Sequence, residues 1–400
     1  MIFSHCDMII PRDGDVSRWS VVACDQYTSQ PEYWQRVEQQ VGDAPSTLHM
    51  IVPELYLEQP GVEARIAKVH ETMQQYLQGD VLRTLPDSMI LTQRTQADGR
   101  VRCGIVLAID LECYDYRPGS KGAIRATEGT VLERIPPRVQ VREGAKLELP
   151  HIMLLMDDRE HAIIPPLLRQ KKAREQLYDA ELMENGGHVQ GWLLDEADQQ
   201  HVTEAMMSLV DEEHPMLFAV GDGNHSLAAA KRCYELEQQR IGVEAAKNSP
   251  ARWALAEVVN LHDAALDFEA IHRVVFDCDT EQLMQYLQQT CGGKGGPCVQ
   301  VLCGQEQQEI QLPADCLAVD VVQRALDTYL QDHAGRVDYI HGDDVVRQLS
   351  EKPGCVGILL PAMAKEELFP AVLKQGALPR KTFSMGHAWD KRYYLECRAL

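Results

Sequence analysis

The sequence lacks long apolar runs and is poor in basic residues. No stretch of its 400 residues approaches the ~18 consecutive apolar residues expected of a membrane-spanning helix. The N-terminal residues are interrupted by charge too early to form a secretory signal. There are 39 basic residues against 60 acidic ones, and the resulting formal charge of −21 opposes attraction to nucleic acid or an anionic membrane. We therefore expect a cytoplasmic protein with neither of these partners.

Common ligand spacings for metals and for redox chemistry are also missing. The 12 cysteines include no Cys-x-x-Cys pair, and the 14 histidines include no His-x-x-x-His spacing, so we predict free thiols and no zinc site. A glycine-rich stretch from Cys291 to Cys298 lacks the pattern of a phosphate-binding P-loop. We predict a surface loop there, with a mobile lid as the alternative.

The most informative stretch runs from Met216 to Arg232. Its apolar residues 217–220 are typical of a short buried strand, and the glycine-rich residues 221–224 are typical of a tight turn with positive φ. A helical pattern follows, with Asp222, Asn224 and Ser226 as candidate caps. Free N–H groups and the positive end of the helix dipole converge at such a junction, so the stretch predicts an anion site. The residues expected to bind phosphate or nucleotide at this turn are Gly221, Gly223, Asn224 and Ser226.

Two residues of this turn favour chemistry over simple folding. Asp222 and His225 are titratable, although glycine, serine or threonine would close the turn as well. An aspartate among phosphate-binding amides repels the ligand unless it holds Mg²⁺ or takes a proton from an attacking hydroxyl. We therefore predict Asp222 and His225 as catalytic residues, with Asp222 also the candidate Mg²⁺ ligand. The alternative is an ordinary strand–glycine–helix junction, which is common in α/β proteins.

This turn resembles the Asp-Gly-His-His-Arg motif of the uncharacterised family DUF1015, and more remotely the phosphate-binding motif of the ParB/sulfiredoxin-like fold, which includes free-serine kinases. Asp222, Gly223 and His225 match the motif, whereas Asn224 and Ser226 stand where the family has histidine and arginine. The family's other blocks follow in order. They resemble the segment from Arg125 through Glu128 and Thr130 to Arg134, residues 258–276, and residues 378–381. The resemblance covers most of the chain.

The missing motif arginine requires a replacement cation. The basic stretch 116–142 contains Arg125, Glu128 and Thr130, which together supply a guanidinium, a carboxylate and a hydroxyl. We expect Arg125 to reach the turn, with Lys381 as the second candidate, and we include Glu128 and Thr130 among the phosphate-binding residues. A solvated basic face is the alternative.

Further pocket candidates follow other predicted strands. Asp25 and Gln26 end one of them, although Asp25 serves equally well as a helix cap. His262, His272 and Arg273 lie in the next block that resembles the family, and either histidine can instead be an ordinary part of the core. Asp157 and Asp158 follow another strand, where capping of the next helix is favoured over metal binding.

The predicted fold is α+β, with a mixed sheet, flanking helices and a ParB/sulfiredoxin-like core around the turn. Two β-rich runs within residues 89–111, joined at Asp98-Gly99, predict a hairpin. Residues 167–182 are rich in Lys, Arg, Glu and Leu and predict a helix. We expect two closely joined lobes, residues 1–213 and 214–400, or a single DUF1015 domain.

These features favour a nucleotide-dependent kinase that phosphorylates a small hydroxylated metabolite. The remote resemblance implies free L-serine as the leading acceptor, with ATP or ADP and Mg²⁺ as ligands. A noncatalytic sensor of a nucleotide or phosphometabolite is the alternative. A sulfiredoxin-like thiol enzyme needs a cysteine in the turn, and Asn224 argues against it. A homo-oligomer remains an open alternative.

Overall fold

The computed structural model describes residues 1–12, 15–211, 213 and 215–400. The strands are β1 Phe3–Ser4, β2 Cys6–Pro11, β3 Leu82–Ser88, β4 Ile90–Thr95, β5 Val101–Asp110, β6 Ile124–Ala126, β7 Leu147–Glu148, β8 Met153–Met156, β9 Gln176–Leu182, β10 Gly187–Leu193, β11 Phe218–Asp222, β12 Trp253–Asn260, β13 Phe268–Phe276, β14 Gly295–Cys303, β15 Glu306–Pro313, β16 Arg336–His341, β17 Val356–Leu359, β18 Phe383–Met385 and β19 Arg398–Ala399. The α-helices are α1 Pro31–Val41, α2 Val62–Gln78, α3 Ile135–Arg142, α4 Ile164–Arg169, α5 Glu196–Met207, α6 Asn224–Ile241, α7 Val243–Ala246, α8 Thr280–Cys291, α9 Ala318–Asp332, α10 Asp343–Ser350 and α11 Lys365–Gln375.

The chain forms two compact units. The first contains Met1–Leu266 together with His387–Leu400, and the second contains Asp267–Gly386. The two units do not divide after residue 213, where we predicted the boundary. Strand β11 pairs with β6 and β8 and so joins the sheet of the preceding strands. Residue 214, where the second lobe was predicted to begin, lies outside the described residues.

A nine-stranded mixed sheet organises the first unit, in the order β6-β11-β8-β12-β5-β4-β10-β9, with β1 paired to β5. The β11–β6 and β12–β8 pairs are parallel, whereas β11 and β8 are antiparallel. The predicted hairpin is confirmed as the antiparallel pair β4–β5. The mixed sheet with flanking helices confirms the predicted α+β class.

The two faces of this sheet bury different apolar clusters, because side chains alternate along each strand. On β5, Val106 packs in one cluster with Trp34 of α1, whereas Leu107 packs in the other. Leu227 and Tyr234 bring α6 onto this second cluster. The helix that follows the turn is thereby fixed against the sheet.

The second unit has a six-stranded antiparallel sheet, in the order β15-β14-β17-β13-β16, with β18 paired to β13. Helices α8 and α9 pack on it through Leu283 and Leu326. The predicted glycine-rich surface loop is shorter than expected, because α8 continues to Cys291 and β14 begins at Gly295. No helix within the described ranges is long and apolar enough to cross a membrane.

The predicted helix over residues 167–182 is wrong for most of its length. Helix α4 ends at Arg169, and residues 176–182 form β9, which pairs with β10. Tyr178, Ala180 and Leu182 are buried while the residues between them are exposed. This alternation with a period of two shows that one face of β9 packs in the core, and the strand order places β9 at the edge of the sheet.

Candidate functional site

The junction between β11 and α6 has the predicted strand–turn–helix form. Gly223 is the N-cap of α6 and has a left-handed conformation, with φ 80° and ψ 23°. A Cβ added at Gly223 would lie 3.0 Å from Ile152 Cα and 3.3 Å from His151 Cδ2. Both the positive φ and the close neighbours therefore require glycine here.

The first turn of α6 has no side-chain cap at its N-cap residue. Gly223 brings no side chain to cap the helix, and Asp222 Oδ1 accepts only the adjacent Gly223 N–H, at 2.9 Å. The predicted caps at Asp222, Asn224 and Ser226 are therefore not used as caps of α6. The N–H groups of a helix's first turn have no partner within the helix, and they form the positive end of its dipole.

His225 joins this turn to the segment after β6. Its Nε2 accepts a hydrogen bond from the Val131 N–H at 3.2 Å. Asn224 precedes His225 in the chain, and Thr130 precedes Val131. Asn224 Oδ1 and Thr130 Oγ1 are both buried, and neither has a protein partner among the described residues. Buried polar atoms usually have partners, so these two oxygens mark a place where a polar ligand or water would be accommodated.

A cation lies beside the turn, but it is neither of the two predicted. Lys391 Nζ is 3.5 Å from Asp222 Oδ2, and both side chains are less than one-fifth exposed. Lys391 was missed by the sequence analysis because it lies far along the chain, in the segment that returns to the first unit.

Arg94 anchors the segment that carries Lys391. Its guanidinium donates to the carbonyl oxygens of Trp389, Lys391 and Gly186, the last at 2.8 Å from Nη2. Burial lowers the pKa of Arg94 to about 10. The backbone on either side of Lys391 is therefore held by a buried side chain from β4.

A chain of polar groups lies beneath the first turn of α6. Ser226 Oγ is 2.8 Å from His151 Nε2, and His151 Nδ1 is 2.7 Å from the hydroxyl of Tyr394. That hydroxyl also accepts the Cys24 N–H at 3.1 Å. The residues just before Asp25 are thus connected to the motif helix, which brings the first pocket candidates into the same region.

The remaining candidates of the first unit have mostly structural contacts. Arg125 lies on β6, opposite Ala219 of β11, and its Nε donates to Gly122 O at 3.0 Å. Burial lowers its pKa. The amide of Gln26 donates to Asp25 at 3.0 Å, and His262 Nε2 lies 2.6 Å from Asp157 Oδ1.

Asp158 binds the backbone before α4 but does not cap that helix, whose N-cap is Ile163 and which has no side-chain cap bond. Its carboxylate oxygens accept the N–H groups of Ala162 and Ile163, each at 3.0 Å, just before α4.

Three predicted residues belong to the second unit. Arg273 is fully buried and donates to the carbonyl oxygens of Lys381 and Arg380, at 3.0 and 3.1 Å. Lys381 itself has a left-handed φ of 57°. His272 Nδ1 accepts the Leu360 N–H at 3.1 Å, and its Nε2 is 2.8 Å from Asp343 Oδ1. Arg273 and His272 therefore stabilise the second unit.

Comparison with known proteins identifies the family. The profile described as "Protein of unknown function (DUF1015)" matches residues 9–377. The chain belongs to the DUF1015 family. No curated protein matches this DUF1015 chain.

Solved structures similar to this DUF1015 chain share little sequence with it. A free serine kinase in complex with AMP has 11% identity and a TM-score of 0.39, over 72% of this chain and 90% of that one. A conserved hypothetical protein from Pyrococcus furiosus has 11% identity and a TM-score of 0.36, over 74% and 94%. SbnI from Staphylococcus aureus, with a C-terminal truncation, has 9% identity and a TM-score of 0.37, over 70% and 82%.

Proposed function

We propose that this DUF1015 protein is a nucleotide-dependent phosphotransferase that acts on a small hydroxylated metabolite. The observation that carries the proposal is the first turn of α6, which has no side-chain cap at its N-cap residue, with a carboxylate and an ammonium group, Asp222 and Lys391, 3.5 Å apart beside it. Amides, dipole and ammonium attract phosphate, and the carboxylate supplies the group that phosphoryl transfer needs in addition.

Charge supports the role of Lys391. A di- or triphosphate has to approach Asp222 in a protein with a formal charge of −21, so a fixed cation beside this carboxylate lowers the cost of binding. Lys391 is held near Asp222 by the bonds of Arg94 to its backbone. Arg125, on the neighbouring strand β6, is the second cation in our proposal.

The turn also fits a magnesium-bound nucleotide. Mg²⁺ usually binds through one or two carboxylates together with substrate phosphates and water. Asp222 Oδ2 is the carboxylate oxygen that does not accept the Gly223 N–H. Bound Mg²⁺ would neutralise charge on the transferred phosphoryl group. Asp222 either holds that ion or accepts the acceptor's proton, and in both roles it acts at the phosphates.

Within this proposal, Asn224 and Thr130 supply polar contacts through their unpartnered oxygens, Oδ1 and Oγ1. His225 fixes the segment containing Thr130 through its bond with the Val131 N–H. Glu128, Gly221 and Ser226 complete the phosphate-side residues, and Asp25 and Gln26 lie on the acceptor side. Free L-serine is one acceptor to test, in the cytoplasm where nucleotide is abundant.

A ligand screen tests the proposal directly. Thermal unfolding is measured with ATP, ADP, CTP and pyrophosphate, each with and without Mg²⁺. A ligand at 100 times its Kd stabilises the folded protein by about 2.7 kcal/mol, and we expect a shift of this size for at least one nucleotide. Binding without phosphoryl transfer to any hydroxyl compound would indicate the sensor function instead. No stabilisation by any of the four ligands would refute the nucleotide site.

A further inference from the structure

A small cavity lies under the first turns of α6, within the first unit. Its volume is about 130 Å³, and its wall is largely apolar, including Met50, Ile51, Leu57 and Leu255. Ser226, His151 and Tyr394 also line it. The hydrogen-bonded side chains of Ser226, His151 and Tyr394 therefore form a polar part of a mostly apolar cavity wall.

We infer that this cavity binds the aliphatic body of the phosphate acceptor, and that the acceptor is a small apolar alcohol whose hydroxyl contacts Ser226. This inference rests on the proposed phosphotransferase function and names its substrate class. A dry apolar cavity of roughly 150 Å³ is known to hold benzene. A cavity of about 130 Å³ therefore accommodates a body of five or six carbon atoms.

The wall of the cavity disfavours a zwitterion such as free L-serine. The carboxylate of the wall, Glu148, is already paired, because its Oε2 lies 2.5 Å from Arg142 Nη1 and its Oε1 accepts from Arg398 at 2.7 Å. Arg142 Nη2, in contrast, is buried with no hydrogen-bond partner among the described residues. Both carboxylate oxygens of Glu148 are thus occupied. The ammonium group of a zwitterion brought into the cavity would lose water without gaining a free carboxylate.

The polar chain gives the acceptor's proton a route. When His151 carries its proton on Nδ1 and donates it to Tyr394, its Nε2 lone pair faces Ser226 Oγ. The acceptor hydroxyl passes its proton to Ser226 Oγ as the serine proton moves to His151 Nε2. The acceptor oxygen then forms the bond to the terminal phosphorus, the bond from that phosphorus to the bridging oxygen breaks, and the nucleoside diphosphate leaves. Asp222 is then the Mg²⁺ ligand, and His151 the base.

Helix geometry places the reacting groups together. Ser226 lies in the first turn of α6, whose N-terminus holds the phosphates in the proposed function. Ser226 also lines the cavity, so this residue adjoins both the cavity and the proposed phosphate site. An alcohol seated in the cavity would meet the terminal phosphoryl group at the end of the helix.

The direct test uses 3-methyl-1-butanol and 4-methyl-1-pentanol as probes, with L-serine and glycerol as comparison compounds. Binding to the full-length protein is measured by NMR shifts of His151 and Ala229, and phosphorylation is measured with Mg²⁺–ATP. We expect the two alcohols to bind and to be phosphorylated at least tenfold more efficiently, in kcat/KM, than L-serine. A preference for L-serine, or no alcohol binding, would overturn the inference.

A cavity-filling variant shows where the alcohol binds. Ala229 is a buried residue of α6 that lines the cavity, and Ala229→Leu fills part of it. We expect KM for the alcohol to rise at least tenfold while the Kd for nucleotide changes less than twofold. Ala205→Leu, on α5 and away from the cavity, is the matched control. An unchanged KM in Ala229→Leu contradicts the assignment.

The proton route is tested separately from binding. His151→Gln is expected to lower kcat by about 10²-fold, the usual contribution of a positioned acid–base group, with little change in alcohol binding by NMR. If nucleotide binds and the alcohols bind but no phosphorylation occurs, the acceptor role fails. If no nucleotide binds while the alcohols still do, the proposed function fails but the cavity assignment stands.

Discussion

Lys391 Nζ lies 3.5 Å from Asp222 Oδ2, so the cation of the candidate site comes from the segment that returns to the first unit near the end of the chain. The turn of the family motif is local in sequence, whereas its charge partner is not. The site therefore depends on the correct packing of two segments.

Replacing Lys391 by glutamine is expected to weaken nucleotide binding by roughly ten- to a hundredfold, because a charge-assisted contact contributes about 1.5–3 kcal/mol. Calorimetric titration with the nucleotide found in the ligand screen measures this. The control is Lys172→Gln, which removes an exposed lysine of the same unit. Equal affinities of the two variants would remove Lys391 from the site.

For Asp222→Asn, we expect turnover to be abolished while nucleotide still binds. The amide keeps a hydrogen-bond acceptor for the Gly223 N–H but loses the charge and basicity of the carboxylate. A coupled assay for the nucleoside diphosphate measures turnover. Wild-type turnover in this variant would show that Asp222 is not catalytic.

Gly223→Val is expected to eliminate nucleotide binding, since a β-branched residue resists φ 80° and its Cβ would lie 3.0 Å from Ile152 Cα. Gly42→Val is the control, because Gly42 also has positive φ but nothing lies within 4 Å of its added Cβ. Retained affinity in a folded Gly223→Val protein would rule out the phosphate cradle.

With Arg125→Gln, nucleotide affinity should fall by roughly ten- to a hundredfold if Arg125 faces the phosphates as proposed. Its Nε donates to Gly122 O, within its own segment. Affinity and melting temperature are therefore measured together. A lower melting temperature with unchanged affinity would make Arg125 a structural residue.

Acid is expected to destabilise the protein through His272. Burial lowers the pKa of His272 below its ordinary value of 6.5, so the unfolded chain takes up a proton more readily than the folded one. This contribution to stability is complete above pH 6.5 and is lost as the pH falls through the lowered pKa. Urea midpoints at pH 7.5 and 5.5 should therefore differ less in His272→Gln than in the wild type. An equal difference in both proteins would argue against this assignment.

Local patterns predicted the strand–turn–helix junction well, because the apolar strand and the glycine with positive φ are adjacent in the sequence. The apolar residues come directly before Gly221, and Gly223 has the positive φ. The helix predicted over 167–182 was wrong because the prediction relied on the helix-favouring composition of this segment. It gave too little weight to the alternation of the apolar residues Tyr178, Ala180 and Leu182. A period of two was present there and was the better guide.

The candidate site was only partly predictable for a different reason. Asp222 and His225 follow from the turn, but the positions of Lys391, His151 and Tyr394 depend on contacts between residues far apart in sequence. Charge composition indicated that a cation was needed but could not say which one. The domain division was missed similarly, because β11 pairs with strands from before the expected boundary.

The return of residues 387–400 to the first unit has a consequence for biosynthesis. Arg392, Tyr394 and Glu396 are almost fully buried there, and Arg392 joins Glu257 and Glu396 in one buried ion-pair group. When residues 1–266 have been synthesised, part of the first unit's buried core has therefore not yet been made. The second unit is continuous from Asp267 to Gly386 and can finish folding first. During synthesis, the candidate site is therefore incomplete until the segment containing Lys391 has been made and has packed on the first unit.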